Sequence, residues 1–192
     1  MVVYLREIFH PDGFIFPLKF IGSIFPEAML RTEIGREAAT IVLILTGAWL
    51  IGRNLRQRFA YFLTIFAVWD IFYYVWLKVL LDWPASIMDW DILFLIPKIW
   101  ASPVLAPILI SFTLLVFAII ILYRDLCSKP LKATLIDWLI FTISAVIVIV
   151  SFCIAGLHVE DPDFSSYFYW PLFAAGNILA IAVFLKCLLK SG

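Results

Sequence analysis

Stretches long and apolar enough to cross a bilayer recur along this chain, and little else about it constrains the fold as strongly. The segments about 34–52, 59–81, 102–123, 134–155 and 168–189 each hold 19 or more residues with few charges. A helix needs about 20 such residues to cross a hydrocarbon layer about 30 Å thick. Composition agrees. Of 192 residues, 65% are hydrophobic, 17% aromatic and 15% charged, against about 45–50% apolar and about 25% charged in a soluble domain. A water-soluble fold of this size could not hide so much apolar surface. The expected fold is a single all-α transmembrane domain of five helices in a multi-pass membrane protein.

Local signals mark the helix ends. Pro26 suits a first helical position, Glu27 a first turn and Gly52 a C-cap, so helix one extends beyond its apolar core, over about 26–51. Asn54 with Gln57, and Thr134 with Asp137, read as capping boxes. Ser102-Pro103 reads as a cap followed by a first-turn proline, and Pro107 as a slight bend. Residues 1–25 are apolar but broken by Pro11, Gly13, Pro17 and Lys19, and are expected to lie along the membrane surface with their phenylalanines dipping in. In 82–101, Ser86-x-x-Asp89 before Pro97 predicts a short outer half-helix at the interface. Tryptophans 49, 83, 90, 100 and 170 fall near the predicted boundaries, where an aromatic belt belongs. Trp69 and Trp76 lie deeper, as packing or partner contacts.

Charge sets an expected orientation. The loops after helices one and three and the C-terminus carry Arg53, Arg56, Arg58, Arg124, Lys129, Lys132, Lys186 and Lys190, whereas the other side carries Arg6, Lys19, Arg31, Arg36 and Lys98. The excess of Lys and Arg places the C-terminus in the cytoplasm and the N-terminus outside, as in a bacterial-type inner membrane. The formal net charge of zero gives no electrostatic footprint for nucleic acid.

One residue stands out chemically. Asp70 lies about 16 Å down its helix at 1.5 Å per residue, where a carboxylate costs about 2.5–3.5 kcal/mol on insertion scales. Asp70, Tyr74, Lys78 and Asp82 recur every four residues, tracing a polar ridge, and Tyr73 borders it as a possible donor. This set, with Asn177 at similar depth, is the candidate intramembrane site. Either it lines a cavity for protons, an ion, a quinone headgroup or a polar substrate, or Asp70 is structural glue bonded to Asn177.

Other chemistry is thin. Glu33 and Glu37 on helix one, with His158 and Glu160, make a weak metal candidate of undefined spacing. Asp137 reads as a cap and Lys186 as snorkelling. Cys127, Cys153 and Cys187 form no CxxC. His10 and His158 lie outside the spans, leaving no haem ligands, and no nucleotide or nucleophile-elbow motif occurs. These gaps lean the reading away from an enzyme, with no cofactor beyond bound lipids. The leading expectation is an accessory or structural subunit packing against membrane-protein partners or a homo-oligomer. The alternative is a small transporter or quinone- or ion-handling protein working through the Asp70–Tyr74–Lys78 ridge. An outward-facing metal enzyme at Glu33, Glu37 and His158 is a third.

Overall fold

The computed structural model describes residues 27–190; the surface segment expected at 1–25 lies outside the described residues. Five long helices dominate: α1 (Glu27–Ile51), α2 (Leu55–Leu81), α3 (Leu105–Leu126), α4 (Leu135–Gly156) and α5 (Trp170–Lys190). Each includes a stretch long and apolar enough to cross a membrane. Their outward faces carry Leu43, Leu50, Val79, Ile119, Leu126 and Leu135, all more than half exposed. Such faces are stable only against lipid or other apolar surface. The chain is a multi-pass membrane protein.

The helix ends follow their caps. Gly52 ends α1 where no side chain fits, because a Cβ there would lie 2.6 Å from the Arg58 backbone nitrogen. Arg58 closes the turn by donating to the Gly52 carbonyl at 3.1 Å and covering the Trp49 ring. Asn54 caps α2 by accepting from the Gln57 N–H at 2.9 Å. Gln57 does not complete the box. Its Oε1 accepts from the Arg53 N–H and its Nε2 donates to Asp125 at the end of α3. Thr134 and Asp137 form the full capping box on α4. Pro107 sits in the first turn of α3, where an N–H has no intrahelical partner, so the expected bend has no bond to break.

The segment expected as a half-helix is instead a β-hairpin, so the fold is mostly rather than wholly helical. Strand β1 (Trp90–Phe94) pairs antiparallel with β2 (Trp100–Pro103), Asp91 opposite Ser102 and Ile92 opposite Ala101. The Ser86-x-x-Asp89 signature turns the chain without starting a helix. Asp89 accepts from the Ala85 and Ser86 N–H groups, and its carbonyl accepts from Val104. The following Trp-Asp-Ile-Leu-Phe is rich in residues that suit strands. Ser102-Pro103 therefore ends a strand, and α3 starts at Leu105, two residues later than its cap signal suggested.

The helices group in two sets. α1 packs on α2 and α2 on α3, while α4 packs on α5. Bridges between the sets are aromatic: Phe59 meets Trp138 at 5.2 Å near the loops rich in Arg and Lys (the basic end), and Phe117 stacks on Phe184 at 4.0 Å. At the opposite, hairpin end, Trp100 stacks on Phe152 and also meets Phe94. Trp83, Trp90 and Trp100 thus pack against protein (Tyr74, Phe168 and Phe152), more than a simple interfacial belt requires.

Candidate functional site

Splitting the bundle into two sets leaves space between them. A cavity of about 1030 Å³ runs between α2–α3 and α4–α5, partly open to the surface. Phe62, Phe66, Leu114, Phe141, Val148 and Ile149 are among its apolar walls. Leu93, Phe94 and Trp100 of the hairpin close one end, and Arg56 and Lys132 stand at the other. Close approach of α5 to α4 shapes one wall: a Cβ at Gly176 would lie 2.8 Å from a Val148 methyl.

The polar lining is sparse and mostly committed. Thr113, Thr142 and Ser144 donate their hydroxyls to carbonyls of their own helices at 2.8–3.0 Å, a common way to satisfy such groups within a helix. Asp70 is different. It lines the cavity from α2 and is only 8% exposed. The buried Ser111 of α3 donates to its Oδ2 at 2.8 Å. Its Oδ1 has no hydrogen-bond partner among the described residues and is not fully buried. Asp91, fully buried in β1, is close enough to act on Asp70 electrostatically. A carboxylate oxygen that has no protein donor and is not fully buried can accept a hydrogen bond from an occupant of the cavity.

The predicted ridge divides. Asp70 and Tyr74 are buried, whereas Lys78 and Asp82 are exposed. Each four-residue step advances about 40° around a 3.6-residue helix, so Lys78 lies about 80° away from Asp70 and leaves the core face. Lys78 instead binds the Asp82 carboxylate at 2.7 Å and the Pro84 carbonyl at 3.1 Å, fixing the exit of α2. That ammonium holds the Asp82 carboxyl below the usual carboxylate range. Tyr73 is half-buried with its ring edge-on to Tyr74 at 5.0 Å. Asn177 lines the cavity from α5 but is not the partner of Asp70. α2 packs on α3, so the available donor is Ser111, a residue that no motif or spacing sets apart from its neighbours.

The remaining candidates take separate places. Glu33 pairs with Arg36 at 2.7 Å, Glu37 accepts from the Leu95 N–H of the hairpin loop, and His158 pairs with Asp161 while stacking on Tyr167. Glu160 has interactions of its own. Among the described residues, no three His, Cys, Asp or Glu side chains group as a metal set. Lys186 does not snorkel freely. It forms an ion pair with Asp137 at 2.7 Å, tying α5 to the capping box of α4. No protein family, curated protein or solved structure matches the chain.

Proposed function

We propose that this protein binds an apolar, chain-like small molecule within the membrane, as a carrier or ligand-responsive protein rather than an enzyme. The observation that carries the reading is the cavity of about 1030 Å³ between the two helix sets, its walls mostly apolar, with Asp70 and Asn177 among the few polar side chains that line it. It develops the alternative weighed from the sequence, with Asp70, Ser111 and Asn177 in place of the Asp70–Tyr74–Lys78 ridge. The subunit reading rests on composition alone, and the lipid bilayer satisfies the outward apolar faces equally well. Ligand pockets are commonly concave and mostly apolar, with a few placed polar groups and volumes of about 300–1,000 Å³. Along α2 the cavity runs from Arg56 to Asp70, about 21 Å at 1.5 Å per residue, which suits an extended chain better than a compact solute.

The test uses the protein in phosphatidylcholine nanodiscs and a pyrene-labelled alkyl chain, read by energy transfer from tryptophans lining the cavity. Saturable transfer at one chain per protein, beyond that in empty discs, is the expected result. Transfer that rises only with the amount of lipid would overturn the proposal.

The orientation belongs to the same reading, with the basic end in the cytoplasm. Cys127, exposed beyond α3, should react with an impermeant maleimide only after cells are permeabilised. A cysteine placed at Asp163 in a cysteine-free chain should react in intact cells. The opposite pattern would reverse the topology.

A further inference from the structure

We infer that the ligand carries a cationic amine head, held by Asp70 at the hairpin end of the cavity. This rests on the cavity being a chain-binding site and concerns which head it selects. Among the described residues Asp70 is the one acidic side chain in the lining, with no donor to Oδ1 while Ser111 holds Oδ2. Asp91, buried in β1, acts on Asp70 electrostatically, and among the described residues no basic side chain does. The nearest cations lining the cavity are at its other end, where Arg56 pairs with Asp125 at 3.5 Å and Lys132 is also engaged. Asn177 offers a second polar contact from α5.

An ammonium answers this site more fully than a neutral head. It donates to Oδ1 and supplies the counter-charge that the surroundings of Asp70 lack. Charge-assisted hydrogen bonds are about twice as strong as neutral ones, and more so away from water. An anionic head would face the Asp70 carboxylate there. The chain then extends past Phe66 and Phe62 toward the basic end.

Dodecylamine, dodecanol and dodecanoate can be competed against the pyrene-labelled chain in nanodiscs, each corrected for partition into empty discs. The wild-type protein should bind the amine about 10-fold or more tighter than the alcohol, with dodecanoate weakest. Asp70→Asn should retain the alcohol and reduce the amine's advantage to within about twofold, while Lys78→Met, on the same helix but outside the cavity lining, should keep it. An alcohol or dodecanoate that matches the amine in the wild type overturns the inference, as does an advantage unchanged in Asp70→Asn or lost in Lys78→Met. If Asp70→Asn does not fold, the wild-type ranking decides. If no chain displaces the probe and the probe itself fails to saturate, the chain-binding reading falls instead.

Discussion

Replacing Gly156 by valine should unseat the hairpin and lower thermal stability more than any other single glycine substitution in the helices. Gly156 is the last residue of α4, and a Cβ there would lie 1.8 Å from the Ile99 carbonyl oxygen and 2.5 Å from its carbon. Both are backbone atoms, so no side-chain rotation relieves the clash. Either the 95–99 turn lifts or α4 shifts. Overpacking of this kind costs about 1–3 kcal/mol and sometimes more. The cost should fall first on what the hairpin holds, the stack of Trp100 on Phe152. Thermal unfolding in detergent and a red shift of tryptophan emission check this. Gly35→Ala is the control, since nothing lies within 4 Å of its Cβ position. Equal melting temperatures for Gly156→Val and wild type would mean that the hairpin does not seat on α4 as described.

Lys186→Met should destabilise the bundle more than the double change Lys186→Met with Asp137→Asn. Asp137 is buried at the start of α4, with Lys186 its charged partner at 2.7 Å and Thr134 donating to it through both backbone N–H and hydroxyl. Removing the lysine leaves a carboxylate with hydrogen bonds but no counter-charge. Removing the charge as well leaves a neutral amide that can still serve the cap. Lys186 itself is more than half exposed, so the penalty falls on the buried carboxylate: stripping its counter-charge should cost more than removing the charge along with it. The order of melting temperatures should be wild type, then the double variant, then Lys186→Met. A double variant no more stable than the single one would show that the pair contributes as two independent contacts.

The five spans were legible because membrane solvation leaves the sequence few options. Backbone groups must be satisfied within each apolar segment, so long apolar runs become helices whatever their neighbours. Thr134–Asp137 and Asn54 were legible for a related reason, since a cap is settled within four residues. The hairpin was not. Ser86-x-x-Asp89 starts a helix or a turn with the same hydrogen bonds, and what decided it was Val104 and Leu105 returning to Asp89 and Ile87. Asp70 could be singled out by its depth alone, but its partner could not, because that depends on which helix lies beside α2. Lys78 was assigned to the wrong face by treating a four-residue spacing as though it did not drift. The cavity was illegible for a larger reason: it is the gap between two packed sets, and no single segment encodes it.

If this gap holds a ligand chain, filling it with a side chain must weaken binding. Ala145 and Ala180 line it from α4 and α5, and a tryptophan at either position should fill part of its volume without touching Asp70's hydrogen bond to Ser111. The direct measurement is saturable binding of the pyrene-labelled alkyl chain to Ala145→Trp and Ala180→Trp in nanodiscs, beside wild type, with thermal unfolding of each to confirm an intact fold. Loss of at least about 10-fold in affinity in both folded variants, roughly what one obstructed apolar contact region is worth, is the predicted result. Unchanged saturable binding in both would contradict it, placing the chain on the outer surface of the helices and not between them.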